Sequence, residues 1–423
     1  MHDARLVREA PETLREAMRR RGKLDALGPV IDRAVTLEQE RRAAIQACEE
    51  RKAARNAASQ EVAKRKKAGG DASDLLASAK AIGEEIVALE ARQVAVQAEL
   101  DGILADLPNT TLPEVPEGDE SANTVVRTWG TPRPQAVVPH WDVGERLGIL
   151  DLPRGAKVAG SGFIVYRGAG ARLQRALLSF MLDLHTREFG YEEAWVPFFV
   201  NREAMTGTGQ LPKFEDDLYA LRDDPYLAIP TAEVPVTNLF RQEILDGTRL
   251  PLAMTAYSAC FRREAGAAGK DTRGLLRVHQ FDKVELVRWC APEDSAAQHE
   301  LLTSHAEAVL QRLELPYRVV LLAAGDTGFS SAKTYDLEVF APGVGKWLEV
   351  SSCSTFTDFQ ARRADIRFRP APGEKPRFVH TLNGSGLALP RVVAGILEHH
   401  QNADGSVTVP AALRPYFGAD RIG

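Results

Sequence analysis

The sequence predicts an α+β protein in two parts: a long antiparallel helical hairpin, then a domain of helices and short apolar strands. Three observations carry this. A heptad pattern of apolar residues fills the N-terminal quarter, a proline-dense stretch follows it, and from about residue 140 short apolar strands alternate with helices. A chain of 423 residues suits two or three domains, and 44% hydrophobic with 26% charged residues excludes a disordered chain. No apolar run reaches the roughly 18 residues of a membrane span. The opening Met1-His2-Asp3-Ala4-Arg5 leads into charged sequence rather than a signal core, so a cytoplasmic protein without a membrane anchor is expected. Cys48, Cys260, Cys290 and Cys353 are scattered, which argues against a disulfide framework and against a thiolate zinc site.

The second helix of the hairpin has the clearest period. Leu75, Ala79, Ile82, Ile86, Leu89, Gln93, Val96, Leu100, Ile103 and Leu107 recur in steps of four and three, an a/d seam of more than four heptads. Val30, Ala34, Leu37, Ala44, Cys48, Ala58 and Val62 keep the same spacing upstream, in a seam weakened by Arg41, Arg51 and Arg55. Between the runs, Ala68-Gly69-Gly70-Asp71-Ala72-Ser73 reads as a helix stop followed by a capping residue. The hairpin is expected over about residues 30–106. Its charges separate: residues 41–67 hold nine basic and three acidic side chains, residues 71–106 two basic and eight acidic. Charge alone leaves two readings open. The helices neutralise each other, or Lys64-Arg65-Lys66-Lys67 forms a phosphate-binding tip.

Residues 108–139 hold Pro108, Pro113, Pro116, Pro132, Pro134 and Pro139, and proline at that density opposes helix and central strand alike. The stretch reads as a linker between an N-terminal domain, 1–107, and a second domain, 140–423. In that domain Leu173, Leu177, Phe180 and Leu184 line a helical face, and residues 191–200 read as a strand interrupted at Pro197. Thr206-Gly207-Thr208-Gly209-Gln210-Leu211-Pro212-Lys213-Phe214 lacks the ending of a P-loop and reads as a mobile loop.

Chemistry-bearing residues then appear in clusters. If Thr231-Ala232-Glu233 continues a strand, Thr231 and Glu233 share a face, where a hydroxyl beside a carboxylate can grip an ammonium. Phe261-Arg262-Arg263-Glu264, a glycine-rich stretch to Gly274, and Val278-His279-Gln280-Phe281-Asp282-Lys283-Val284-Glu285 read as strand, loop, strand. On such strands Arg262 shares a face with Glu264, and Phe281 with Glu285. A guanidinium suits phosphate oxygens, and an aromatic ring offers a surface to a purine. Glu349-Val350-Ser351-Ser352 alternates a carboxylate with hydroxyls, hard oxygens that suit Mg2+ held through phosphates. Thr381-Leu382-Asn383-Gly384-Ser385-Gly386-Leu387-Ala388-Leu389-Pro390-Arg391 leads into a helix expected from Val392 to His400.

Taken in order, these segments resemble the class II aminoacyl-tRNA synthetase family, and within it most closely the bacterial-type seryl-tRNA synthetases. The similarity runs from Leu6-Val7-Arg8-Glu9 to Leu413-Arg414-Pro415. The family's motif 1 is similar to the helix and strand ending at Pro197, motif 2 to Phe261-Arg262-Arg263-Glu264, and motif 3 to Gly386 through Arg391 with its helix. The segments 206–214, Pro230-Thr231-Ala232-Glu233-Val234-Pro235, Ser351-Ser352-Cys353-Ser354 and Asp358-Phe359-Gln360-Ala361-Arg362-Arg363 resemble seryl-specific ones. Pro390 departs from the small residue many relatives carry, at a helix position proline tolerates. Leu112 stands where relatives often have histidine, and no chemistry is attached to it.

The resemblance implies a class II synthetase-like antiparallel sheet flanked by helices, with a coiled-coil arm, and a homodimer formed partly through motif 1. It implies a serine–tRNA ligase that converts L-serine and ATP to seryl-adenylate and pyrophosphate, then charges the 3′ end of tRNA(Ser), with tRNA(Sec) as a second candidate. Thr231, Ala232, Glu233, Arg262, Glu285, Asn383 and Ser385 would bind serine. Arg262, Arg263, Glu264, Val278, Phe281, Glu349, Val350, Ser351, Ser352 and Arg391 would bind ATP, with Glu349 and Ser352 holding Mg2+. In that set Arg262 meets the α-phosphate, Glu264 reads the adenine amino group, and Phe281 and Arg391 sandwich the base. Arg51, Arg55, Lys64, Arg65, Lys66 and Lys67 are the arm's candidates for tRNA. Two alternatives stand beside this: a paralogue that loads a carrier protein, whose relatives tend to lack the arm, and a non-catalytic tRNA-binding descendant.

Overall fold

The heptad seams form two long helices, α1 over Leu24–Lys67 and α2 over Ser73–Asp106, in a computed structural model that describes residues 1–134, 137–265 and 273–423. Both lie in the first of two units, Met1–Pro108; the second is Asn109–Gly423. Val96, Leu100 and Leu104 of α2 meet Ile31, Ala34 and Leu37 of α1 in a fully buried core. Leu104 takes the inward place at this level and Ile103 stays partly buried beside it. Further along, Cys48, Val62 and Ile86 continue the seam. Gln93 is a polar residue on that seam, and its Nε2 donates to Ala44 O at 3.1 Å, so the amide is not left unpaired.

The helix ends differ from the expected ones for local reasons. α1 starts at Leu24 rather than near residue 30, with Pro29 inside it. Proline forfeits one backbone bond, and so close to the helix start the loss does not break the helix. At the turn, Ser73 is the first helical residue rather than the cap. Asp71 Oδ1 accepts from Ser73 N at 2.9 Å and satisfies that donor instead.

In the second unit, eight strands among the described residues form one sheet. They are β1 Thr124–Trp129, β2 Glu192–Glu193, β3 Leu252–Phe261, β4 Gln280–Cys290, β5 Tyr317–Leu321, β6 Lys333–Ala341, β7 Lys346–Thr355 and β8 His380–Ala388. Their spatial order is β1-β5-β6-β7-β8-β4-β3-β2, antiparallel at every junction except the last, where β2 runs parallel to β3. Helices α3 Ala169–Asp183, α4 Ser295–Arg312 and α5 Leu389–His399 bury Leu177, Leu302 and Ile396 in a core shared with Val284, Leu286 and Leu337 of the sheet. Burial of such a continuous apolar face is what makes the sheet rigid enough to hold polar groups on its other side.

Three expectations for this unit change. The stretch expected as a linker, 108–139, is not bare linker. Asn109 Nδ2 donates to Ser330 O and Phe356 O, both at 2.9 Å, and β1 forms an edge of the sheet beside β5. Its prolines flank β1 rather than enter it, so the strand keeps its donors; residues 135–136 lie outside the described residues. The strand expected over 191–200 is two short pieces, β2 and Phe199–Val200, on either side of Pro197. In the segment read as a mobile loop, Arg202–Thr208 is helical and ends on Gly209 at φ +85°, a left-handed conformation that glycine adopts freely. Arg363 then donates from Nε to Thr206 O at 2.8 Å and from Nη2 to Leu211 O at 2.9 Å.

Leu100 is fully buried on the hairpin seam. Leu100→Ala is expected to cost the first unit about 2–5 kcal/mol, seen as a lower midpoint of the far-UV circular dichroism transition. All five tryptophans belong to the second unit, so their fluorescence follows that unit separately. An unchanged helical midpoint would contradict the place of Leu100 in the core.

Candidate active site

A cleft with a cavity volume of about 570 Å³ opens on the polar face of β4, β7 and β8. Alternation along β4 sends Val284 and Leu286 into the core and Lys283 and Glu285 into the cleft. Asn383 and Ser385 of β8 join them. From β7 come Glu349 and Ser352, three residues apart, which a regular strand would point to opposite faces. A bulge between Glu349 and Ser351 resets the register: Glu349 pairs with Glu338, and Ser352 with Asp336. Both side chains then face the cleft, a common use of a bulge near a functional site. Ser351, expected to share a face with Glu349, instead points into the buried layer, and its Oγ donates to Ser385 O at 2.7 Å.

Two further segments reach the cleft by turns rather than by strand faces. The strand before Thr231 ends at Ala228, and Glu233 opens a short helix, Glu233–Thr237. Thr231 Oγ1 accepts from Glu233 N at 3.1 Å, a side-chain-to-backbone bond that competes with strand pairing. Arg262, Arg263 and Glu264 lie beyond the end of β3 at Phe261. Glu264 adopts φ +51°, rare for a residue with a side chain, and Arg277 Nη1 donates to its Oε2 at 2.6 Å. Of the glycine-rich loop that follows, residues 266–272 lie outside the described residues.

Charge is concentrated around Thr231. Its Oγ1 donates to Glu285 Oε2 at 2.8 Å and accepts from Lys283 Nζ at 2.8 Å, while Lys283 and Glu285 form an ion pair. Glu285 is 2% exposed and Lys283 5%. Gln360 Nε2 donates to Glu233 Oε1 at 2.6 Å. Burial, and then the charge of Glu285, push the Glu233 carboxyl up to about 7. Two carboxylates therefore share one lysine. Asn383 Nδ2, also buried, has no hydrogen-bond partner among the described residues. The leftover acceptors and this donor suit a small ligand that carries an ammonium and a hydroxyl.

A second recess, lined by Val278, Phe281, Pro390 and Arg391, adjoins the first, and the two share Arg262, Lys283, Glu349 and Ser385. The Arg262 guanidinium lies 5.1 Å from the Phe281 ring centroid, a cation–π distance. α5 begins at Leu389 rather than Val392, because Pro390 fits a first helical turn. That places Arg391 in the same turn, with Nη1 donating to Glu349 O at 2.7 Å. An aromatic ring, apolar walls and two guanidinium groups suit a purine nucleotide.

Glu349 and Ser352 offer hard oxygen donors on one face, and across the strand pair Asp336 has a buried Oδ1 without a hydrogen-bond partner among the described residues. Among the described residues no group of three or more His, Cys, Asp or Glu side chains is arranged to hold a metal by itself. A Mg2+ ion fits such a sparse oxygen set when phosphates and water complete its shell.

Not every expected residue faces these recesses. Ala232 and Val350 are fully buried in apolar clusters, so their side chains do not line the cleft. Arg263 is exposed, and its backbone N donates to Asp217 O at 3.0 Å. Lys283 and Gln360 were missed. Lys283 could have been found, because a residue between Phe281 and Glu285 on one strand face must share that face. Gln360 reaches Glu233 across 127 residues of sequence, and no local spacing signals that.

On the hairpin, Arg51 pairs with Glu85 at 2.9 Å, Lys52 with Glu90 at 3.2 Å and Arg65 with Asp74 at 3.2 Å. Arg55, Lys64, Lys66 and Lys67 are exposed, and their side chains have no acidic partner among the described residues. The acidic helix cancels part of the charge on α1 and leaves its end basic.

Comparison with known proteins agrees with this division. Residues 1–111 match the family model of the seryl-tRNA synthetase N-terminal domain, and residues 213–400 that of the tRNA synthetase class II core domain (G, H, P, S and T). A serine–tRNA ligase of Gemmatimonas aurantiaca is 69% identical over 420 residues, which cover 99% of each chain. The crystal structure of seryl-tRNA synthetase from Pyrococcus horikoshii complexed with ATP is similar at a TM-score of 0.95 and 39% identity, covering 100% of this chain and 99% of that one. The cytoplasmic serine–tRNA ligase of Naegleria fowleri in complex with AMP gives 0.90 and 30%, covering 100% and 98%. Matched at both ends and along its length, the chain belongs to the seryl-tRNA synthetase family of class II aminoacyl-tRNA synthetases.

Proposed function

We propose that this chain activates L-serine with ATP and transfers it to the 3′ end of tRNA, with the cleft residues in the roles the family resemblance implies. The observation that carries the assignment is the set of buried Glu285, Thr231 and Asn383 with half-buried Glu233, beside a recess built from Phe281 and Arg391. The carboxylates and Thr231 hold the serine ammonium and hydroxyl, and Phe281 and Arg391 hold adenine between them. Glu264 accepts from the adenine amino group once Arg277 releases it.

In the first step a serine carboxylate oxygen forms a bond to the α-phosphorus. The bond from that phosphorus to the bridging β-oxygen breaks, and pyrophosphate leaves with the electron pair. No side-chain nucleophile is needed, so positioning and neutralisation of charge supply the catalysis. Arg262 borders both recesses and can give parallel hydrogen bonds to the α-phosphate and the serine carboxylate. Glu349 and Ser352 would hold Mg2+, which would supply positive charge to the phosphates. In the second step a terminal ribose hydroxyl of tRNA attacks the seryl carbonyl carbon and AMP leaves.

The basic end of α1 supports a tRNA-binding arm, with Arg55, Lys64, Lys66 and Lys67 free to meet phosphates and Arg51 and Arg65 engaged within the arm. The match of residues 1–111 to the family's N-terminal domain does not favour the carrier-protein reading. A homodimer is supported by the place of β2 at the edge of its sheet and by exposed aromatic side chains that follow it in sequence, Trp195 at 82% and Phe199. No helix among the described residues is long and apolar enough to cross a membrane.

Removing residues 35–100 is expected to preserve serine-dependent exchange of labelled pyrophosphate into ATP and to abolish tRNA charging. Charging at the original rate would remove the arm from tRNA recognition. Replacing Lys64, Lys66 and Lys67 by alanine should lower the slope of log affinity for tRNA against log salt by roughly one for each phosphate no longer neutralised; an unchanged slope would contradict their role.

The pH dependence follows from Glu233. Burial and the charge of Glu285 push its carboxyl up to about 7, and the group must be ionised to hold an ammonium. The KM for serine is therefore expected to rise about tenfold per pH unit below about 7, while the KM for ATP stays level. Glu233→Gln should flatten that rise, and a wild-type serine KM constant from about pH 5.5 to 7.5 would overturn the assignment.

A further inference from the structure

We propose that Lys283 is a further catalytic residue, one whose ammonium contacts the groups expected to hold the substrate's own and turns to the reacting oxygens when serine binds. The inference rests on the serine-pocket reading given above.

Lys283 stands between Phe281 and Glu285 on the cleft-facing side of β4. It borders both recesses. The serine carboxylate and the α-phosphorus have to meet where those recesses join, so a cation on that border is within reach of the atoms that react. Its Nζ is bonded to Thr231 Oγ1 at 2.8 Å and to the carboxylate of Glu285. These are the groups that serine itself is expected to engage.

The exchange follows from charge. A buried carboxylate without a cation is costly, and Lys283 removes that cost at Glu285. Serine brings its own ammonium. Once that group and the hydroxyl take the hydrogen bonds of Glu285 and Thr231, Lys283 Nζ is left without those partners. The serine carboxylate and the α-phosphate then offer it new acceptors on the border it already lines. Lysine's flexible four-carbon stem allows the head group to move without the strand moving. During adenylate formation the carboxylate oxygen bonds to phosphorus as the bond to the bridging oxygen breaks. The electron pair leaves with pyrophosphate, no proton is transferred, and Lys283 stays an ammonium throughout. Its contribution is preorganised positive charge at the place where negative charge shifts.

The test uses the full-length protein with Lys283→Gln, which can still donate to Thr231 or Glu285 but carries no charge, and Lys283→Arg, which keeps it. Steady-state exchange of labelled pyrophosphate gives kcat and the serine KM, and equilibrium dialysis gives the ATP dissociation constant as a check on folding. Lys283→Gln is expected to lose about 100-fold or more in kcat, with the serine KM and ATP affinity within about threefold of wild type. Lys283→Arg should retain kcat within about tenfold. A Lys283→Gln kcat within about threefold of wild type, with any loss confined to the serine KM, overturns the proposal and leaves Lys283 a neutraliser of Glu285. Should Lys283→Gln fail to bind ATP, Lys283→Arg decides: kcat within about tenfold supports the proposal, and a loss beyond about 100-fold overturns it. Glu285→Ala separates the two layers. If it leaves serine kinetics unchanged, the pocket reading itself fails and Lys283 falls with it. If it raises the serine KM, the outcome with Lys283 stands alone.

Discussion

The ion pair of Lys283 with Glu285, joined by Thr231 and faced by Glu233, sets the conditions that the rest of the catalytic unit meets. Ionised carboxylates taken out of water are tolerated only when paired and hydrogen-bonded. The pairing has to be held by something stiff. β4 supplies the two charged residues, the short helix at Glu233–Thr237 supplies the second carboxylate, and the helix Phe359–Ala364 supplies Gln360. Gln360 is itself fixed, because its Oε1 accepts from Thr381 Oγ1 at 2.8 Å. Two carboxylates, Glu233 and Glu285, face one lysine there.

The sheet solves a second problem, that of aiming groups from neighbouring strands at one spot. Strict alternation would waste half of the polar residues in 349–352 on the buried layer. The bulge in β7 returns Ser352 to the face of Glu349, and a bulge in β8 between Ser385 and Leu387 shifts the register beside Glu285. The polar groups brought together this way border the second recess, whose far wall is the first turn of α5. Core packing under α3, α4 and α5 gives the sheet the rigidity that such placement demands.

What the sequence revealed follows from which interactions are local. The hairpin was legible because its seam repeats every seven residues, and Val96 and Leu100 are buried where the heptads put them. The types of residue in the cleft were legible too, since arginine, glutamate and aromatic side chains cluster in short segments. Their directions were not. Thr231 with Glu233, Arg262 with Glu264 and Glu349 with Ser351 were each read as strand neighbours. A turn, a strand end and a bulge intervene in the three cases, and alternation cannot register any of them. The same rule, applied to β4, would have disclosed Lys283. Charge along the hairpin left two readings open. The helices of the hairpin balance in sum, yet ion pairing is set by neighbours, and Lys64, Lys66 and Lys67 have none of opposite sign among the described residues.

The central claim is that buried carboxylates and Thr231 read the substrate's ammonium and hydroxyl together. The direct measurement is pyrophosphate exchange into ATP with alanine set against serine. Alanine keeps the ammonium and the carboxylate and lacks only the hydroxyl. A site built to hydrogen-bond a hydroxyl is expected to reject the analogue without it by about 10,000-fold or more in kcat/KM, because its own polar groups are left unpaired. Alanine within about tenfold of serine would contradict the account.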